Sequence, residues 1–275
     1  MTKIIAAALQ LNSQPDLESS MKQTFLSIKE AANNGANLVA LPENFAFLGN
    51  EKEKQQQAEQ ISDSVMIQIP EWAKEFGVNI LAGGFPVRAK SGKVYNRAIL
   101  VDATGRIISR YDKIHLFDVS LSDEETYRES ETVEAGMPEP VVSELAVSDH
   151  QKSIVKIGLS ICYDLRFPEL YRALAKKGAE ILMVPSAFTQ PTGRAHWEVL
   201  LRARAVENTC FVVSPAQTGK HGPSRKTYGH SMIIDPWGQI LVNAGTNPGM
   251  AISEIDLNQI REIRGKLPSL SHRVL

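Results

Sequence analysis

The chain is short of the features that mark several large classes of protein. Only 2 of its 275 residues are cysteine. That argues against a disulfide framework and leaves each sulfur as a free thiol, either packed or reactive. The 30 lysines and arginines balance 31 aspartates and glutamates, for a formal net charge of −1. With no basic run, nucleic acid and anionic membrane surfaces are poor partners. No apolar stretch approaches the ~18–20 residues that a membrane helix needs. The opening MTKIIAAALQLN turns polar too soon for a signal peptide, so the expected location is the cytoplasm. There is no P-loop and no G-x-G-x-x-G, and LAGGF at 81–85 is too short to cradle a phosphate. The six histidines (His115, His150, His196, His221, His230 and His272) form no His-x-x-x-His pair and no Cys/His knuckle. No metal and no other cofactor is expected. None of the six sits in a papain-like or caspase-like signature either.

What remains is an ordinary globular composition, 43% apolar and 22% charged. Residues 3–12 read as a buried strand. Asp16 caps a following helix with Leu17, Met21, Phe25, Ile28 and Ala32 at helical spacing, Gly35 ends it, and residues 37–43 read as a second buried strand. This opening is β-α-β with a parallel pair. It recurs. NNGANLVALPE at 33–43 matches KKGAEILMVPS at 176–186 in its pattern of polar pair, Gly-Ala, apolar run and proline. A strand at 156–162 and a helix over 165–177 precede the second copy. The two-stranded pattern YNRAILVDATGRII at 95–108 likewise returns as YGHSMIIDPWGQIL at 228–241. Two repeats in one order predict two related α/β halves. Each would be a sheet with helices on one face, and the bare sheet faces must bury each other. The expected fold is a four-layer αββα sandwich in a single domain.

In α/β folds reactive groups gather at the carboxyl ends of strands, and three such ends carry chemistry. Cys162 stands between a strand and a helix start, where a tight turn exposes a sulfur and aims backbone N–H groups at it. The charged Asp164 and Arg166 that follow are odd in a core. Cys210, inside the apolar run TCFVVSP, reads as structural. Glu43 lies among Leu, Pro and Phe in LPENFAF, and such poor solvation predicts a raised carboxyl pKa. Lys113, in YDKIHLF, precedes an apolar alternation and is also a candidate for a restricted site.

These three blocks, with GLSICYDLRFPEL around Cys162, resemble the nitrilase, or carbon–nitrogen hydrolase, superfamily, and within it the Nit branch, closest to the deaminated-glutathione amidase type. The resemblance implies a Glu43–Lys113–Cys162 triad, a second glutamate at Glu129, no cofactor and a homodimer. It runs through a domain of residues 1–256, leaving a C-terminal tail, 257–275, that either crosses onto a partner or frays. Segment 119–130 departs from the family pattern by lacking a Pro-Gly. The implied chemistry is hydrolysis of a small carboxylate-bearing amide to acid and ammonia through a cysteine thioester. Glu43 is the base, and Lys113 with the Tyr163 N–H holds the oxyanion. Deaminated glutathione and 2-oxo acid ω-amides are the implied substrates; a true nitrilase or carbamoyl hydrolase would use the same triad. By resemblance Phe188 and Thr192 line the pocket. Arg166, four residues after the thiol, either meets a substrate carboxylate or pairs with Asp164 or Glu169. The amphipathic helix at 194–208 turns Trp197, Leu200, Leu201 and Ala205 to one side, and in this family helices near the cysteine build the dimer interface.

Overall fold

A computed structural model describes residues 3–121, 126–147, 154–223 and 225–274. The first half runs β1 (Lys3–Leu11), α1 (Leu17–Asn33), β2 (Leu38–Leu41), α2 (Glu51–Gln56), α3 (Ala58–Phe76), β3 (Asn79–Arg88), β4 (Val94–Val101) and β5 (Ile107–Asp112). A small ribbon of β6 (Asp118–Ser120) and β7 (Thr126–Arg128) follows. The second half runs β8 (Val142–Ala146), β9 (Ile154–Leu159), α4 (Pro168–Lys176), β10 (Ile181–Met183), α5 (Gln190–Asn208), β11 (Phe211–Ser214), β12 (Ala216–His221), β13 (Arg225–Tyr228), β14 (Met232–Ile234), β15 (Ile240–Asn243), β16 (Gly249–Asp256) and α6 (Asn258–Lys266).

The doubling seen in the sequence is a doubling of sheets. One orders its first-half strands β1-β2-β3-β4-β5, and the other orders the corresponding strands β9-β10-β11-β14-β15. Alternation along β1 explains the layering. Ile4, Ala6 and Ala8 point at the second sheet and join a core with Ile157, Leu159 and Val213. Ala7, Leu9 and Leu11 point the other way, under α1 and α3, with Met21, Ile28, Ile61 and Ile69. Helices α4 and α5 cover the far face of the second sheet. The result is the expected αββα sandwich. The halves are not closed units, however. Strands β12, β13 and β16 come from the second half and pair into the first sheet, where β16 lies antiparallel along β1 from Lys3 to Gln10.

Local chemistry sets the helix ends. Asp16 accepts the Ser19 N–H at 2.8 Å and caps α1. The helix expected over 165–177 starts only at Pro168. Residues Cys162–Arg166 form a separate 3-10 turn, and Phe167 is extended at φ −109°, ψ 92°. Proline disfavours a helical residue before it and suits the first helical position, where no N–H is needed. The helix read from residue 194 starts earlier, at Gln190, with Pro191 in its first turn. Trp197, Leu201 and Ala205 are buried, and Leu200 is partly buried. Helix α6, in the region read as a tail, docks on its own chain. Arg264 donates to the Thr209 hydroxyl at 3.0 Å and the Ala179 carbonyl at 3.3 Å, and lies 3.6 Å from the Cys210 sulfur.

One core histidine ties the sheet to the loop that leads toward the site. His221 is 1% exposed. Its Nδ1 must carry the hydrogen, since it meets the Ser13 carbonyl at 2.7 Å; Nε2 then accepts from the Thr227 hydroxyl at 2.6 Å. Burial pushes its pKa down from the ordinary 6.5 to about 4. Between those values the unfolded chain binds a proton that the folded chain refuses, so stability falls as pH drops through this window. On going from pH 7.5 to pH 5, the wild type should lose about 2 kcal/mol more than His221→Gln in urea titrations. Equal losses would show that the imidazole titrates normally.

Candidate active site

Three loops bring distant residues together. Glu43 follows β2 and is 3% exposed; Lys113 follows β5 and is 2% exposed; Cys162 follows β9 and is 8% exposed. The Lys113 ammonium lies 3.0 Å from Glu43 Oε1 and 2.8 Å from Glu129 Oε2. Asn96, in the middle of β4, donates to Glu43 Oε1 at 2.9 Å and Glu129 Oε1 at 3.2 Å. The Phe117 N–H donates to Glu129 Oε2 at 2.6 Å. Glu129 thus has both oxygens occupied by fixed donors. The Cys162 thiol lies close enough to the Glu43 carboxylate and the Ala187 N–H to be influenced by both.

The glycines of LAGGF find their purpose here. A Cβ on Gly84, at φ +56°, would sit 2.7 Å from Glu43 Cγ and 2.8 Å from Asn96 Oδ1. Only a glycine lets β3 pass this close to the carboxylate.

The charges fix one another. Burial alone would raise Glu43, but the Lys113 ammonium, the Cys162 thiol and the Arg225 guanidinium hold its carboxyl below the ordinary glutamate value. The raised value expected from its apolar neighbours is therefore corrected: the counter-charge outweighs desolvation. Burial would lower Lys113, but Glu129 and Glu43 hold its ammonium well above the ordinary lysine range. Burial, and then the Glu43 charge, push the Cys162 thiol up. The resting site is a carboxylate, an ammonium and a protonated thiol.

Cys162 has φ +49°, a left-handed conformation that L-residues rarely adopt outside functional turns. Its N–H donates to the Pro185 carbonyl at 2.9 Å. Asp164 braces the turn. Odd in a core by its sequence, it is nonetheless 0% exposed. Its Oδ2 accepts the Ile161 N–H at 2.8 Å and the Tyr111 hydroxyl at 2.7 Å. Its Oδ1 accepts the His115 N–H at 3.1 Å and meets His115 Nδ1 at 2.7 Å. Tyr111 and His115 flank Lys113, so this carboxylate couples the lysine's loop to the cysteine's turn. Asp164→Asn turns an NH2 group toward two of those donors. The variant should lose about 10²-fold in kcat and a similar factor in the iodoacetamide labelling rate of Cys162, with KM within about 3-fold of wild type. A labelling rate equal to wild type would show that the turn needs no such brace.

The thiol opens into a cavity whose lining includes Tyr163, Arg166, Phe188 and Thr192. The Arg166 guanidinium lies 5.7 Å from the Tyr163 ring centre and 5.6 Å from that of Phe188. It approaches His196 Nδ1 at 3.3 Å. Neither of the acidic partners weighed from the sequence, Asp164 or Glu169, forms an ion pair with it among the described residues. Thr192 is buried, with its hydroxyl 2.9 Å from that of Thr189. Residues 122–125 of the segment lacking Pro-Gly, and His150, lie outside the described residues. Cys210 is fully buried, with its sulfur 3.1 Å from the Ala179 carbonyl. Asn96, Lys54 and Arg225, the last two also on the cavity wall, escaped the sequence reading. None sits in a motif; Asn96 between Tyr95 and Arg97 reads as an ordinary strand residue.

A thiol and a base–cation pair at the carboxyl ends of two facing sheets form the class of site that cleaves carbon–nitrogen bonds. Comparison with known proteins agrees. The carbon–nitrogen hydrolase family model matches residues 5–265. A deaminated glutathione amidase from Synechocystis is 51% identical over all of this chain and 99% of its own length. The crystal structure of the Caenorhabditis elegans NitFhit protein superposes with a TM-score of 0.89 at 37% identity, covering 99% of this chain, which spans 65% of that longer one. Nit3 of Saccharomyces cerevisiae, a member of branch 10 of the nitrilase superfamily, gives a TM-score of 0.85 at 29% identity, over 99% of this chain and 97% of its own. The chain belongs to the carbon–nitrogen hydrolase family and is a hydrolase acting on carbon–nitrogen bonds. Among the described residues no helix is long and apolar enough to cross a membrane.

Proposed function

We propose that this protein is a thiol amidase acting on a small carboxylate-bearing amide, with deaminated glutathione as first candidate and the ω-amide of a 2-oxo acid as second. The observation that carries this reading is the meeting of the Cys162 thiol, a Glu43 carboxylate and the Lys113 ammonium, the last two 3.0 Å apart, on the wall of one cavity that also holds Arg166. Glu43 takes the thiol proton as the sulfur attacks the amide carbonyl. The oxyanion forms against the Lys113 ammonium and the Tyr163 N–H. Protonated Glu43 passes its proton to the leaving nitrogen. Water then attacks the thioester with Glu43 again as base, releasing the acid. Glu129, its oxygens taken by Lys113, Asn96 and the Phe117 N–H, keeps the lysine charged and placed rather than moving protons. Arg166 takes the substrate's acyl-side carboxylate between the Tyr163 and Phe188 rings, and Thr192 closes that wall.

Residues 1–256 form the hydrolase domain in this reading, working in the cytoplasm as a homodimer. The outer face of α5, with Val199 and Val206 exposed, and the tail 257–275 would lie at the contact between copies. Steady-state assays with deaminated glutathione, 2-oxoglutaramate and a simple nitrile test the activity. Turnover of the nitrile alone would overturn it. Sedimentation at micromolar concentration tests the dimer.

A further inference from the structure

The cavity wall holds more positive charge than its own carboxylates balance. Lys113 faces Glu43 and Glu129, while Lys54 and Arg225 share Glu51, at 2.6 and 3.1 Å. These three cations and three carboxylates cancel. Arg128 and Arg166 have no carboxylate partner on that wall; Arg128 lies across the β6–β7 ribbon from Asp118, which is off the wall.

The surplus is placed in two locations. A row of three rings crosses the wall: Tyr163 and Phe117 have centres 5.1 Å apart, and so do Phe117 and Tyr127. The Arg166 guanidinium lies 5.7 Å from the Tyr163 centre, at one end of the row. Arg225 lies 5.9 Å from Tyr127, at the other, where Tyr127 leads directly into the exposed Arg128. The Arg225 Nε–H is buried and has no acceptor among the described residues. A buried charged donor left unmatched is costly, and a carboxylate would satisfy it. Arg225 is also near enough to Glu43 and Cys162 to couple with both electrostatically, so a group held there lies within reach of the reacting atoms.

We infer that Arg225 and Arg128 form a second anion subsite, which receives a carboxylate on the amine side of the scissile bond. The inference rests on the reading above, in which Arg166 takes the acyl-side carboxylate. With that end fixed and the carbonyl at Cys162, the leaving amine is directed along the ring row toward Arg225. The preferred substrate is then a dianion, with one carboxylate on each side of the C–N bond. Deaminated glutathione has this pattern. A primary ω-amide lacks the second charge.

The test compares deaminated glutathione with its C-terminal carboxamide, which has the same shape without the amine-side charge. The wild type should prefer the free acid by at least about 10-fold in kcat/KM, and Arg225→Gln or Arg128→Gln should reduce that preference to within about 2-fold. Arg166→Gln should slow both substrates and leave the preference in place. Arg128 is exposed, so its variant decides the matter if the Arg225 variant does not fold. Equal rates on both substrates in the wild type, or an unchanged preference in Arg128→Gln, would overturn the subsite while leaving the amidase reading intact. No turnover of either substrate would overturn the amidase reading itself. Loss of the preference in Arg166→Gln alone would reverse the assigned orientation and so overturn the proposal.

Discussion

Glu43→Gln should lower kcat by at least about 10³-fold and leave the protein folded. The amide keeps the shape of the carboxylate and can still accept from Lys113 and Asn96. Lys113 also retains Glu129, with both oxygens within 3.0 Å, so no buried charge is stranded and thermal stability should change little. What disappears is the carboxylate that acts on the Cys162 thiol. The substitution removes the Glu43 charge, but burial, the largest influence raising the thiol, remains, so no resting thiolate compensates. Intact-mass measurement after mixing with substrate should find unmodified enzyme, because acylation itself is blocked. A variant retaining more than a tenth of wild-type kcat would remove Glu43 from the role of base. In the wild type, the depressed Glu43 carboxyl sets the acid limb of the kcat/KM profile below the ordinary glutamate range, with activity lost as pH falls through it.

Lys113→Met should do more damage, and of two kinds. Removing the cation takes away one oxyanion donor, a loss of about 10²–10³-fold in kcat. It also leaves two buried carboxylates facing each other across the gap. Breaking a buried ion pair by deleting one partner costs about 3–5 kcal/mol, so the variant should unfold at clearly lower denaturant. The pH profile separates this from simple loss of structure. Burial is the strongest influence on Glu43, and Lys113 is the first force against it. Without Lys113 the carboxyl rises, and the acid limb of the residual activity should move up, above the ordinary glutamate range. A residual profile superimposable on that of the wild type would mean that the ammonium does not set the state of Glu43.

That reversal shows where sequence reading reached and where it stopped. The strands, the doubled halves and the four layers follow from hydrophobic patterning, a local property that a linear chain displays openly. Glu43, Lys113 and Cys162 were legible because each ends a strand, where neighbours in sequence are neighbours in space. The electrostatics were not. Glu43 is surrounded by apolar residues in the chain, but its ammonium partner comes from 70 residues downstream. Asp164 likewise looked out of place in a core, because its donors Tyr111 and His115 lie about 50 residues upstream. Pro168 did announce the helix start in the sequence; the apolar pattern running through it obscured the signal. The passage of β12, β13 and β16 into the first sheet has no local signature, since a buried strand reads the same in either sheet.

That passage has a consequence for how the chain is made. The long flank of β1 is paired by β16, whose residues end at Asp256. On a ribosome, β1 waits, one side bare, until β16, far downstream of it in the chain, has emerged. A bare strand flank recruits other strands, so nascent chains of this protein are candidates for chaperone custody, and its two halves, however alike, are not modules that could be made apart and mixed.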